Sequence, residues 1–312
     1  MTENSLQPGE AADELLRGAI DLHHHGYPEI SFEQKTRSED VEEFKLAREA
    51  GMAGIVLKSH MWPTVGRAYH LRRLVPGIEV VPSITLNPVV GGLSPMAVES
   101  AARQGAKVLF MPTWGAAHDV SRGGMSNHMR HLLRHVDIPG GGLRIVDESG
   151  RAKPELSECI AVAAEFGMAV ASGHISPRES MVLTATARDH GIGTILFQHP
   201  DSNSVKATRD ETRELIRLGA TIELCALGLM PAFQRIGIGE IMEIVEEAGP
   251  ARCVLTTDYF FDWAPSAPET LRMMIGILLS RGVAAADIRT MVRDAPRRLL
   301  GWDAPRPRAA AE

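Results

Sequence analysis

Ile20-Asp21-Leu22-His23-His24-His25-Gly26 ends an apolar run the way the tip of a β-strand would. Side chains alternate across a strand, so Asp21, His23 and His25 are expected on one face and His24 on the other. Two imidazoles two residues apart can grip one metal ion through neutral ring nitrogens. A histidine run alone is a compositional feature that often binds nothing. The weight comes from the rest of the chain, which keeps ending strand-like runs in metal-ligating residues.

Ala53-Gly54-Ile55-Val56-Leu57-Lys58-Ser59-His60 is the second such run. Its apolar stretch without alternation fits a parallel strand covered on both faces. It ends in Lys58 and His60, two apart and so on one side. With a first strand at 18–24, further strands are read at 78–86, 106–111, 168–172, 194–197, 220–224 and 253–257. Pro82 argues against the third of these, because proline cannot donate to a ladder. Helix-start signals fall between them: Ser38, Ser94-Pro95, Ser176 with Glu179, Thr208 with Glu211, and Ser266. Helices are read at 154–166 and 238–248, with a last helical stretch at 284–300. Strands alternating with helices imply a parallel sheet with helices outside. A chain of 312 residues suits eight such units. The expected fold is therefore α/β, a (β/α)8 TIM barrel. An open doubly wound sheet is the alternative, and it would not bring the first and eighth strands together.

Residues 112–153 break the rhythm. They hold His118, His128, His131, His135 and the run Gly140-Gly141-Gly142. A short helix at 129–135 and a strand at 143–146 are read there. Insertions of this length are usually lids or binding loops. Residues 1–312 are thus expected to form one barrel domain with a lid-like insertion at 112–153.

In a barrel, the C-terminal strand ends share one mouth, where active sites lie. Here those ends carry His23 and His25, Lys58 and His60, His174, His199 and Asp258. Imidazoles with an aspartate suit zinc or another divalent transition metal, one or two ions per chain. Calcium or magnesium would need more oxygen ligands. Trp62, Trp114 and Tyr27 follow strand ends and are expected as pocket walls or as packing beneath loops.

This order of residues resembles the amidohydrolase superfamily of metal-dependent hydrolases. Asp21-Leu22-His23-His24-His25 resembles its Asp-x-His-x-His signature, and Asp294-Ala295-Pro296-Arg297-Arg298-Leu299-Leu300-Gly301 resembles its closing segment. The resemblance implies metal ligands at His23, His25, His174, His199 and Asp258. It implies a metal-dependent hydrolase without naming the substrate, and the leading expectation is hydrolysis of an amide, cyclic amide or lactone. Asp258 would move the proton, and His60 or His199 would hydrogen-bond the developing oxyanion. One departure stands out. Two-metal relatives often carry a bridging carboxylated lysine or glutamate on strand four, and Lys107-Val108-Leu109-Phe110-Met111-Pro112-Thr113 ends in neither. Lys58 is the substitute candidate, as a bridging carbamate or else as an ammonium paired with Glu223 or Asp258 or contacting an anionic substrate. Rival readings on the same scaffold are a one-metal decarboxylase or deaminase, a phosphoester hydrolase, and a non-catalytic binder.

Composition narrows the partners. Hydrophobic residues make up 44% and charged ones 23%, so a large core can form. The formal net charge is −6 with no basic stripe, so nucleic acid is not expected. No run is long enough to span a bilayer, and residues 1–17 lack a signal-peptide pattern. Cys159, Cys225 and Cys253 lie in apolar segments without paired spacing, as buried thiols of a reducing cytoplasm would. The expected partner is a small-molecule substrate. A homo-oligomer is also expected, with 112–153 able to supply a subunit interface.

Overall fold

The computed structural model describes residues 7–133 and 138–302, so His135 lies outside the described residues. Eight parallel strands pair in chain order: β1 (Ile20–His25), β2 (Gly54–Lys58), β3 (Glu79–Thr85), β4 (Val108–Phe110), β5 (Ala169–Ala171), β6 (Leu196–Phe197), β7 (Thr221–Cys225) and β8 (Cys253–Thr256). Just beyond β8 the chain rejoins β1. The Asp258 N–H donates to the His23 carbonyl at 3.0 Å, and the His25 N–H donates to the Tyr259 carbonyl at 2.9 Å. The sheet thus curls into the (β/α)8 barrel.

The helices up to β5 are α1 (Pro8–Leu16), α2 (Asp40–Glu49), α3 (Val65–Leu74), α4 (Pro95–Arg103), α5 (Ala117–Arg122), α6 (Met125–Leu132) and α7 (Pro154–Glu165). After it come α8 (Pro177–Asp189), α9 (Arg209–Leu218), α10 (Ile238–Ala248), α11 (Ala267–Ser280), α12 (Ala285–Arg289) and α13 (Ala295–Leu299). α1 begins at Pro8, with the proline at its first helical position. The short helix expected at 129–135 is α6, which starts at Met125; residues 143–146 form isolated bridges to Ala116 and Ala152 rather than a strand. Among the described residues, no helix is long and apolar enough to cross a membrane.

Apolar side chains form two layers. Ile20, Leu22, Val56, Val108, Phe110 and Val254 fill the barrel. Ile55, Leu57, Leu109 and Leu255 alternate with them and pack outward with Phe44, Leu71 and other helix residues. Each fully buried aliphatic side chain contributes about 1.5–3 kcal/mol.

The first strand departs from strict alternation. Its register runs Ile20 to Gly54 and Asp21 to Ile55, then His24 to Leu57 and His25 to Lys58. β1 therefore carries one extra residue, a β-bulge, between Asp21 and His24. Neighbours in a parallel ladder point the same way, so Asp21 turns outward with Ile55, not to the face of His23 and His25 as expected. Leu22 and His23 both face inward. A one-residue shift moves every following side chain to the other face. The bulge is what aims His23 and His25 into the barrel mouth.

β3 runs unbroken through Pro82, which pairs with Leu57. The missing donor is replaced by hydroxyls. Thr64 Oγ1 and Ser83 Oγ donate to the Leu57 carbonyl at 2.7 and 2.8 Å, while the Ser83 N–H donates to Thr64 Oγ1 at 2.8 Å. β2 ends at Lys58, so His60 stands on the following loop rather than on the strand.

Ser94, Ser176 and Thr208 cap α4, α8 and α9 through their hydroxyls as expected. Two starts differ. Glu39, not Ser38, occupies the cap of α2. Ser266 holds the cap position of α11 but makes no side-chain bond there. Glu43 of α2 accepts the Ala267 N–H instead, placing a carboxylate at that positive helix end. Burial pushes the Glu43 carboxyl up to about 7, against the pull of that hydrogen bond. A raised acid binds its proton more tightly in the folded state. Its stabilising contribution is whole below the unfolded pKa near 4.5 and is lost as pH rises through about 7. Glu43→Gln should therefore be more stable than the parent at pH 8, by up to about 3 kcal/mol, with little gain at pH 4. Urea unfolding at the two pH values checks this.

Candidate metal centre

The mouth of the barrel opens on a cavity of about 290 Å³, and His23, His25, Lys58, His60, His174, His199 and Asp258 all line it. The seven strand-end residues singled out in the sequence are thus gathered at one place. Phe110 of β4 packs against two of these residues, with its ring centroid 6.3 Å from that of His23 and 4.8 Å from Lys58 Nζ. Backbone geometry serves the same end. His199 and Asp258 hold positive φ, +23° and +51°, a region that costs non-glycine residues energy and clusters at functional sites. Gly173, before His174, has φ +58°, and a Cβ there would lie 2.3 Å from the Met111 carbonyl. Only glycine lets β5 end so close to β4.

At the centre, three ligand-type atoms form a small triangle. His23 Nε2 lies 3.3 Å from His25 Nε2 and 3.1 Å from Asp258 Oδ1, and His25 Nε2 lies 3.6 Å from Asp258 Oδ1. Three ligands bound tetrahedrally at about 2.0–2.1 Å would sit roughly 3.3 Å apart. His199 offers a further nitrogen within 4.8 Å of His23 and Asp258. The His199 Nδ1 atom is buried and has no hydrogen-bond partner among the described residues. This donor set fits a divalent transition metal. His174 stands beside His199, ring centroids 5.0 Å apart.

Behind the imidazoles stand carboxylates. Glu223 of β7 lies 3.2 Å from His23 Nδ1, Glu29 lies 3.2 Å from His60 Nδ1, and Asp119 of α5 lies 2.8 Å from His174 Nδ1. The same Glu29 oxygen is 3.6 Å from His25 Nδ1 and accepts the His60 backbone N–H. An ionised carboxylate only accepts, so each hydrogen-bonded Nδ1 carries the proton and Nε2 keeps its lone pair. The carboxylates are fixed in turn. Glu223 accepts from Gln198 Nε2 at 3.3 Å and the His199 N–H at 3.2 Å, and Asp119 accepts from the Ser126 and Met125 N–H groups at 2.7 and 3.0 Å.

The electrostatics favour neutral rings. Burial holds His23, His25 and His199 well below the usual histidine range, and Lys58 adds to the effect. Burial takes His174 down to about 4 even against Asp119. Burial alone would raise Glu29, but His60 and His25 hold its carboxyl well below the usual value. Burial raises Glu223 to about 6 and opposes Lys58 in doing so. Lys58 is fully buried, and that burial lowers its amine pKa despite Asp258 and Glu223. Its Nζ lies 2.9 Å from His23 Nε2. Among the described residues no carboxylate lies within ion-pair distance of it, so the expected pairing of Lys58 with Glu223 or Asp258 is not formed.

His24 turns away, stacked on Tyr259 with centroids 4.9 Å apart and edge-on to Phe44. His118 bonds the Val205 carbonyl and is absent from the cavity, His128 lines it while bonding Gln34, and His131 is exposed. Of the aromatic residues expected as walls, none lines the cavity. Trp62 is 61% exposed, Trp114 is buried with its indole N–H on the His60 carbonyl, and Tyr27 bonds the Phe32 carbonyl. Phe233, Phe260 and Phe261 are the walls instead. Glu29, Asp119 and Gln198 were not singled out in the sequence. Glu29 and Asp119 lie in loop-side segments with no strand pattern to mark them, whereas Gln198 stands next to His199 and could have been read from that position.

Solved structures share this architecture. An amidohydrolase from Pseudomonas aeruginosa matches with TM-score 0.65 at 12% identity, over 95% of this chain and 98% of that one. The probable dipeptidase PvdM from the same organism matches with TM-score 0.63 at 12% identity, over 94% and 98%. An organophosphorus hydrolase from Deinococcus radiodurans matches with TM-score 0.57 at 15% identity, over 93% and 94%. These structures share the (β/α)8 barrel fold of this chain. No curated protein matches in sequence. The chain belongs to the family of unknown function DUF6282, whose model matches residues 18–223. That span includes His23 through Glu223 and stops before Asp258.

Proposed function

We propose that the protein is a metal-dependent hydrolase that opens an amide, cyclic amide or lactone of a small molecule. The triangle of His23 Nε2, His25 Nε2 and Asp258 Oδ1 carries this reading, because its edges of 3.1–3.6 Å suit ligands of one ion. His23, His25 and Asp258 would hold zinc or a similar ion, with His199 beside them. His174, and Lys58 if carboxylated, would serve a second. Such an ion supplies a water nucleophile at neutral pH and polarises the scissile carbonyl. The hydrolases among the structural neighbours support the same chemistry.

The remaining work falls to side chains. Asp258, 19% exposed toward the cavity, takes a proton from the attacking water and delivers it to the leaving group. His60, whose Nδ1 faces Glu29, presents Nε2 to the substrate, and His199 flanks it. Glu29 and Glu223 act as positioning residues for the imidazoles. Gly124, Met125 and His128 come from the 112–153 segment and line the cavity, which supports reading that segment as a cover within one barrel domain.

The test is a panel of N-acyl amino acids, cyclic amides and lactones given to zinc-loaded protein. Turnover should disappear on chelation and return with metal. Glu223→Gln should weaken zinc affinity by about 10–100-fold, as loss of a partner behind the His23 ring does. Turnover indifferent to chelation, or a protein that takes up no metal, would contradict the proposal.

A further inference from the structure

One wall of the cavity is built differently from the metal-facing side. Phe233 and Arg235, from the loop after β7, and Phe261, from the loop after β8, all line it. Phe233 and Phe261 stack at 4.9 Å between centroids and 26° between planes, and Trp263 stacks behind Phe261 at 5.3 Å. The Arg235 guanidinium lies 4.9 Å from the Phe233 centroid, and its backbone N–H is anchored to the Gly228 carbonyl at 3.0 Å. A guanidinium over an aromatic face is held in place without losing its hydrogen-bond donors. Among the described residues Arg235 has no ion-pair partner. Asp201 shares an adjacent groove with it yet lies beyond ion-pair distance.

The cavity lining contains two basic side chains, Arg235 and Lys58. Lys58 is fully buried against His23 and Phe110, so Arg235 is the one presented to the open part of the cavity. We propose that the substrate is a small monocarboxylate with an apolar, flat body: its carboxylate docks on Arg235, its body lies along Phe233 and Phe261, and its scissile bond faces His23 and Asp258. The last clause rests on the hydrolase reading above; the first two do not. A single planar guanidinium matches a single carboxylate through paired N–H···O bonds. A phosphate dianion would call for a second accessible cation. A volume of about 290 Å³ suits a molecule of one ring and a short chain.

Two probes separate the possibilities: 3-phenylpropionate and its neutral isostere 4-phenylbutan-2-one, titrated by calorimetry into zinc-loaded protein. The carboxylate should bind at least tenfold more tightly than the ketone. Arg235→Ala should erase that preference and Arg235→Lys should keep part of it, with circular dichroism confirming the fold of each. Phe261→Ala should weaken both probes alike. The preference should persist when zinc is removed, which separates Arg235 from a carboxylate bound to the ion. A preference that survives Arg235→Ala, one that vanishes on metal removal, or failure of both probes to bind would overturn the proposal. A protein that binds no zinc yet keeps the Arg235-dependent preference would refute the hydrolase reading and leave this inference standing.

Discussion

His23→Ala should lose its metal, with zinc affinity falling on the order of a thousandfold or more, beyond the 10–100-fold typical of a residue behind a ligand. The expectation follows from the position of one ring. His23 Nε2 lies within 3.3 Å of both His25 Nε2 and Asp258 Oδ1, and its Nδ1 is tied to Glu223 at 3.2 Å. Its removal deletes one ligand and takes from the buried Glu223 one of its hydrogen-bond partners. His24→Ala is the matched control. Its ring stacks on Tyr259 and meets Phe44, outside the cavity. That variant should keep its metal and lose about 2–4 kcal/mol of stability, as large-to-small changes in packed sites do. Zinc content after dialysis, together with urea unfolding, reads both effects. Equal metal loss in the two variants would mean that the β1 bulge does not aim the odd-numbered histidines inward.

Lys58→Ala should abolish turnover. Lys58 is fully buried at the end of β2, with Nζ 2.9 Å from His23 Nε2 and 4.8 Å from the Phe110 centroid. Burial lowers its amine pKa, and a neutral amine is the form that reacts with carbon dioxide. The amine nitrogen bonds to the carbon, one proton leaves, and the product is an anionic carbamate. This change replaces a cation that repels metal ions with an anion that can bridge two of them, about 3.5–4 Å apart. On this proposal, activity of Lys58→Ala should return in part when a short carboxylic acid is supplied with the metal. A plain amine at Lys58 in metal-loaded protein prepared with bicarbonate would remove the bridge. The one-metal arrangement would then stand, and decarboxylation or deamination would gain over hydrolysis.

Much of the barrel was legible because its signals are local. Capping boxes at Ser176 and Thr208 start α8 and α9, and the apolar runs of β2 and β8 stand out by composition. The strand-end histidines and Asp258 were legible once eight strands implied a common mouth. What stayed hidden depends on distant contacts. The β1 bulge is a matter of register against β2, which no pattern in 20–25 encodes. Glu43 caps α11 across more than two hundred residues of chain, so Ser266 looked like the cap. Pro82 was misleading because Thr64 and Ser83 supply the missing donors. Glu29 and Asp119 become recognisable only when the ring nitrogens they face are in view. The aromatic walls were sought after strands one, two and four, whereas Phe233, Phe260 and Phe261 come from the loops after β7 and β8.

The most direct test of the metal centre is a crystal structure of zinc-loaded protein with anomalous data collected on both sides of the zinc absorption edge. A zinc-specific peak should appear with His23, His25 and Asp258 ligand atoms within about 2.0–2.3 Å of it. Density at Lys58 and beside His174 and His199 would show at the same time whether a second ion is present. Zinc bound elsewhere, with His23, His25 and Asp258 contacting no ion, would contradict the account.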